Sequence, residues 1–304
     1  MTRVVQYDQP GGPEVLHIRE AQIPEPGERA VAVRVRAAGI NPFDAKMRSG
    51  FFPSEAPFPR RLGSDLAGTV TAVGEGATYW DGTPAGVGDE VLGHGAGALA
   101  EQVVVPAENL TRRPEGLSIE AAGSLHVPGL TAVSVLRTVP VGAGDTVLVG
   151  GASGAVGFLV AQLAAATGAQ VIGTAHPRNH EMLHSAGVIP VAYGDGLADR
   201  VGELGRVTAV YDCHGREALD AGVVLGVPVD RMAAIAAYAA IEELGVLNVE
   251  RGSRTTQNLA SIAEQVADGS LVFPIAQTFP LDSVVEAFQA LETSHAPGKI
   301  VVIP

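Results

Sequence analysis

The chain has 304 residues, 46% of them hydrophobic and 17% charged, with 38 glycines and a formal net charge of −13. That length fits two domains or one large α/β unit and excludes a miniature stapled scaffold. The acidic balance argues against nucleic acid and anionic membrane surfaces as partners, and one cysteine, Cys213, forms neither an internal disulfide nor a multi-thiolate zinc site.

The opening residues lack a basic start followed by an apolar core, so no signal peptide is expected, and with a lone cysteine the expected compartment is the cytoplasm. Up to about residue 118, short alternating segments are punctuated by Gly and Pro. Val31, Val33 and Val35 alternate with Ala32, Arg34 and Arg36, and Leu66–Val73, Val87–Leu92 and Leu99–Val105 continue the pattern. Closely spaced short strands of this kind predict a barrel-like β domain.

From Glu120 the pattern changes. Apolar strands at Thr146–Val149, Val171–Thr174, Ile189–Val191 and Val207–Tyr211 alternate with helical stretches, which predicts βαβ units around a buried parallel sheet. The uncharged stretch between Asp145 and Arg178 divides into strand, turn and helix, so it reads as the centre of such a domain and not as a membrane span. An amphipathic helix is expected from Asn258 to about Asp268. It is followed by a segment to Phe279, a helix over Leu281–Leu291 and a last strand, Lys299–Ile303.

The most informative motif joins the strand Thr146–Val149 to Gly150-Gly-Ala-Ser-Gly-Ala-Val-Gly157 and a helix-forming run. Ala152, Gly154 and Gly157 occupy the G-x-G-x-x-G positions, so Gly151, Ala152, Ser153, Gly154, Ala155 and Val156 are the expected cradle for a pyrophosphate at the helix N-terminus. A purely structural turn is the alternative. The residue after Gly157 is Phe158, which excludes a Walker loop, and Ala155 follows Gly154, which excludes a nucleophile elbow.

Cofactor choice is read at the end of the next strand, where an NAD site places a carboxylate on the ribose. Gly173-Thr-Ala-His-Pro-Arg-Asn179 contains no acid. Thr174, His176 and Arg178 are the expected adenosine-side contacts, with Arg178 meeting a 2′-phosphate, so NADPH is favoured over NADH. The alternative is that Arg178 is a solvated loop cation.

Several passages together resemble the zinc-independent quinone oxidoreductases of the medium-chain dehydrogenase/reductase superfamily. They are Ala37-Ala-Gly-Ile-Asn-Pro-Phe-Asp44, Leu62-Gly-Ser-Asp-Leu-Ala-Gly68, Gly88-Asp-Glu-Val91, Leu130-Thr-Ala132 and Gly298-Lys-Ile300, in the family's order. The resemblance implies an α/β fold: a GroES-like β-rich catalytic domain over 1–120, a Rossmann doubly wound parallel sheet over 121–257, and completion of the catalytic domain by 258–304. It also implies that Asn41 and Thr131 face the nicotinamide and its ribose, that Tyr193 flanks the adenosine phosphate with Arg178, and that Asp44 borders the substrate cleft. Zinc-dependent relatives carry cysteine where Asn41 stands and His-Glu where Ser64-Asp65 stand, so no catalytic metal is expected. Asn41 and Asp65 as plain turn residues are the alternative.

Two departures from the family matter. A tyrosine near the cleft in many relatives is matched here by Arg48-Ser-Gly-Phe-Phe-Pro53, and Phe52 has no hydroxyl to donate. The region after Asp212 is compressed, and Ala236, in Arg231-Met-Ala-Ala-Ile-Ala236, is the expected nicotinamide wall together with Cys213. His180-Glu-Met-Leu-His184 matches H-E-x-x-H but lacks a third ligand, so it is read as coincidence.

The function expected from these readings is NADPH-dependent hydride transfer to a small molecule, a quinone or an α,β-unsaturated carbonyl, without zinc. The alternatives are a dedicated enone or enoyl reductase and a non-catalytic NADPH-binding sensor or structural protein. A homodimer is expected by resemblance, paired through the edge of the cofactor sheet near Gly245–Val249.

Overall fold

The computed structural model describes residues 1–293 and 297–304. Six strands make a wholly parallel sheet in the spatial order Ile189–Val191, Gln170–Thr174, Thr146–Gly150, Ala209–Asp212, Met232–Ala234, Leu247–Asn248. In chain order this is 3-2-1-4-5-6, the doubly wound order, and the direction of winding reverses at Thr146–Gly150. The central strands are near-continuous apolar runs because both faces are covered: Val147, Leu148, Val149, Val171, Ile172, Ala209, Val210 and Tyr211 are all at most 1% exposed.

The first 118 residues fold mainly into antiparallel strands. A bulged strand, Ala30–Gly39, pairs with Asp65–Val73 on one side and is flanked on the other by Gln102–Pro106 and Lys299–Ile303. The segment ending at Phe279 proves to be a strand, Ile275–Pro280, parallel to Lys299–Ile303. Its half-exposed residues carry little alternation, so only the partner strand defines it. The strand expected at Val87–Leu92 begins at Glu90, because Gly88 makes a left-handed turn with φ +95°. Thr255 caps the helix Thr256–Ala267 by accepting from the Asn258 N–H at 3.2 Å, three residues before the expected start.

That helix buries Leu259, Ile262 and Ala263 in the core containing the parallel sheet and the helix His126–Thr138. The chain therefore regains the antiparallel sheet only at Ile275. Ala67 and Leu92 of the β-rich half also enter this core, which fixes one half against the other. Among the described residues no helix is long and apolar enough to cross a membrane.

Candidate active site

The carboxyl ends of Thr146–Gly150, Gln170–Thr174 and Ala209–Asp212 open onto a cleft of about 300 Å³ lined by Gly151, Ser153, Gly154, Thr174, His176, Tyr193 and Cys213, among others. Ligands bind at such a reversal point because the helices to either side diverge there. Gly151 has φ +69°, and a Cβ on it would lie 2.5 Å from His214 Cβ. A Cβ on Gly157 would lie 2.2 Å from the Gly151 carbonyl oxygen, so glycine is what lets the helix Ala155–Ala166 start this close to the strand. At Gly154 a Cβ would have one neighbour within 4 Å, the Gly151 oxygen at 3.4 Å, leaving its outer side open to a ligand.

Side chains around the loop hold its shape. The Gly151 N–H donates to Thr174 Oγ1 at 2.9 Å, and Asn179 Nδ2 donates to Ser153 Oγ at 3.2 Å. His176 accepts from the Arg178 N–H at 3.2 Å, and Arg178 stands exposed on that turn beside the cleft, with half-exposed Tyr193 in the lining. His180 of the H-E-x-x-H match has its ring 3.2 Å from the Ala175 carbonyl oxygen, and no cluster of metal-ligating residues occurs among the described residues.

Asp212 organises the loops at the carboxyl end of its strand, a role the sequence did not reveal. It is fully buried at the end of its strand, and its carboxylate accepts four backbone N–H groups. One oxygen takes His214 at 2.8 Å and Gly215 at 2.6 Å; the other takes Ala236 at 3.0 Å and Ala237 at 2.8 Å. This fixes the loops carrying both expected wall residues, Cys213 and Ala236. Burial, reinforced by Asp212, pushes the Cys213 thiol well up, which disfavours the thiolate.

A second constellation lies under the helix Pro42–Ser49. Asn41 Nδ2 donates to Asp65 Oδ2 at 3.2 Å, and Lys299 Nζ donates to Asn41 Oδ1 and lies 3.4 Å from Asp65 Oδ2. The other Asp65 oxygen accepts from the Val127 N–H at 3.0 Å and is 3.5 Å from His126 Nδ1, whose ring stacks on His94 at 4.4 Å. Asn41, Asp44, Asp65 and Lys299 are each at most 4% exposed. Burial raises the Asp65 pKa, but Lys299, His126 and Asn41 outweigh it and hold the carboxylate below its ordinary range. Burial lowers Lys299, with Asp65 and Asp44 opposing. His94 is pushed down to about 4 by burial and by His126, so its ring stays neutral.

Asp44, expected at the border of the substrate cleft, is instead 2% exposed, and its Oδ2 accepts from the Asn41 N–H at 2.9 Å. Asp44 is the third helical residue of a capping box opened by Asn41, and reaching back to the Asn41 N–H turns its carboxylate inward. Burial, then Asp65, raises its pKa to about 6. Asn41 is engaged at both ends of its amide, by Asp65 on the nitrogen and Lys299 on the oxygen. Thr131, on the helix His126–Thr138, is 7% exposed, and among the described residues no partner takes its hydroxyl. Phe52 is half-buried in a group of aromatic rings with Phe43, Phe51 and Tyr238.

Gly298-Lys-Ile300 joins the two constellations. The Gly298 N–H donates to the Ser153 carbonyl oxygen at 3.2 Å, and the next residue sends its ammonium into the Asn41–Asp65 network. Gly298 has φ +98°, and a Cβ there would lie 2.3 Å from the Pro274 oxygen. The glycine loop and the buried network are thus held in register by two consecutive residues.

The profile of the alcohol dehydrogenase GroES-like domain matches residues 27–115, and that of the zinc-binding dehydrogenases matches 193–302. A quinone oxidoreductase of Pseudomonas aeruginosa is 32% identical over 100% of both chains. The chain belongs to the quinone oxidoreductase family of the medium-chain dehydrogenases/reductases. A human quinone oxidoreductase is 28% identical over 100% of this chain and 98% of its own. Among solved structures, the quinone oxidoreductase of Coxiella burnetii matches with a TM-score of 0.87 at 28% identity, covering 100% of this chain and 99% of that one. The Escherichia coli quinone oxidoreductase complexed with NADPH gives 0.85 at 26% identity, covering 99% and 100%. Family membership accounts for the pairing of a β-rich half with a doubly wound sheet, and it makes the shared cleft the candidate active site.

Proposed function

We propose that this protein is an NADPH-dependent oxidoreductase that reduces quinones without a zinc ion. The observation that carries the metal-free reading is the place of Lys299. Its ammonium lies between Asn41 and Asp65, positions at which zinc-dependent relatives, by resemblance, carry ligands. A buried cation already neutralises Asp65, and a second cation beside it would be repelled.

The residues fit NADPH. Gly151, Ala152, Ser153, Gly154, Ala155 and Val156 would hold the pyrophosphate, where the open side of Gly154 lets it approach backbone N–H groups. Thr174, His176, Arg178 and Tyr193 would take the adenosine side, and Asn41, Thr131, Cys213 and Ala236 the nicotinamide side. When bound, NADPH supplies the hydride. The chain contributes position: Asp212 fixes the wall, and Gly298-Lys299 fixes the glycine loop against the buried network. A quinone oxygen can take its proton from water, so the missing hydroxyl at Phe52 is no obstacle.

We assign 1–120 with 258–304 to the catalytic domain and 121–257 to the cofactor domain, the helix Thr256–Ala267 serving as the joint. A homodimer is proposed through Leu247–Asn248, which lies at the edge of the parallel sheet and, among the described residues, has one side unpaired. The deciding experiment follows nicotinamide absorbance after exhaustive chelation, with NADPH and a quinone. Undiminished oxidation is expected. Loss of activity with recovery on adding zinc would overturn the metal-free reading, and failure to oxidise NADPH with any quinone would overturn the activity.

A further inference from the structure

Four aromatic rings meet where the two halves face one another. Phe43 lies on the helix Pro42–Ser49, and Phe51 and Phe52 follow its left-handed end at Gly50. Tyr238, from the cofactor half, begins the helix Tyr238–Leu244 directly after the Ala236–Ala237 turn that Asp212 holds. Its ring centroid is 6.1 Å from that of Phe51 and 5.8 Å from that of Phe52, the latter edge-on at 82°. Phe43, Phe51 and Tyr238 are 47%, 60% and 40% exposed, so this is open apolar surface and not core.

One ammonium lies among the rings. Lys46 Nζ is 4.6 Å from the Tyr238 centroid and 5.7 Å from that of Phe51. Among the described residues no carboxylate pairs with it, and no protein group bonds the Tyr238 hydroxyl. Burial lowers the Lys46 pKa, with the Asp212 carboxylate opposing from beyond ion-pair distance. A cation with no carboxylate at ion-pair distance among the described residues, set in an exposed aromatic cluster, suits a ligand with a flat face and an oxygen that accepts hydrogen bonds.

We propose that Tyr238 and Lys46 complete the acceptor site: a planar quinone inserts between the Tyr238 ring and Phe51–Phe52, with one carbonyl oxygen on the Lys46 ammonium. The inference rests on the reading above and narrows it, because an aliphatic enone offers the oxygen but no ring to stack. Tyr238 comes from the cofactor half, so the site is assembled from both sides of the cleft. The rings touch one another here, and insertion replaces ring–ring contacts with ring–quinone contacts of the same kind.

The test is a binding titration without turnover, in the full-length protein saturated with NADP⁺ and again without it, followed by quenching of protein fluorescence. The probe is 2,3-dimethyl-1,4-naphthoquinone, whose blocked ring carbons cannot add to Cys213. The controls are 2,3-dimethylnaphthalene, which lacks the oxygens, and 2-cyclohexenone, which lacks the aromatic ring. Tyr238→Ala is expected to weaken the quinone about 10-fold, equivalent to about 1.4 kcal/mol and within the range of one aromatic pair. Tyr238→Phe keeps the ring and stays within about 3-fold. Lys46→Gln weakens the quinone about 5-fold or more and leaves dimethylnaphthalene unchanged.

Wild-type quinone affinity in both Tyr238→Ala and Lys46→Gln, or cyclohexenone bound as tightly as the quinone, would overturn the proposal. NADPH binding, read in parallel from nicotinamide fluorescence, separates the two levels. A chain that binds no NADPH refutes the proposed function itself. One that binds NADPH but whose quinone affinity ignores residues 238 and 46 refutes only the acceptor site.

Discussion

Replacing Asp44 with asparagine should stabilise the protein, and more so as pH rises. Asp44 is 2% exposed, and its pKa is raised from 3.8 to about 6, first by burial and then by Asp65. The folded state therefore keeps the Asp44 proton to higher pH than the unfolded chain does. Stability from this group is greatest below the unfolded value and declines as pH climbs through 3.8 to about 6, the opposite of a salt-bridged carboxylate. Linkage gives a penalty of about 1.5 kcal/mol at pH 5 and about 3 kcal/mol at pH 8. Asparagine removes the charge, and its Oδ1 can still accept from the Asn41 N–H that Asp44 now takes at 2.9 Å. Urea unfolding of both proteins at pH 5, 6.5 and 8 should show the variant gaining on the parent by about 1–2 kcal/mol between the extremes. A difference that is flat with pH, or that favours the parent at pH 8, would refute the reasoning.

Lys299→Met leaves Asp65 buried without its cation and should cost about 3–5 kcal/mol at neutral pH, a deficit that shrinks in acid as Asp65 gains a proton; urea unfolding at two pH values measures it. Asp212→Asn keeps one acceptor oxygen but turns an amide N–H₂ toward two of the four backbone N–H groups now bound. A loss of about 2–4 kcal/mol is expected, with faster amide exchange at one of the pairs His214/Gly215 or Ala236/Ala237 but not both. Arg178→Ala should weaken NADPH by about 10- to 150-fold and leave NADH nearly unchanged; equal loss for both cofactors in a fluorescence titration would remove Arg178 from the specificity argument.

The sequence by itself determined what is local or periodic. Glycines at 151, 154 and 157 between an apolar strand and a helix former led to the expectation of a nucleotide-binding loop before any coordinates, with a structural turn as the alternative. Asn41 and Ser64-Asp65, set against the cysteine and His-Glu of zinc-dependent relatives, raised the expectation of a metal-free site by resemblance. Tertiary structure decided where long-range partners meet. Nothing near residue 41 in sequence announces Lys299, 258 positions away, as the cation of the same site, and the strand Ile275–Pro280 exists only because Lys299–Ile303 pairs with it. Asp44 was read as a cleft residue, yet helix capping turned it inward. Asp212 looked like one more strand-end acid until its four N–H donors were brought together, and Tyr238 and Lys46 became neighbours only when the two halves closed on one another. Burial and convergence from distant segments set the charge and contacts of these groups, and neither is a property of any short stretch of chain.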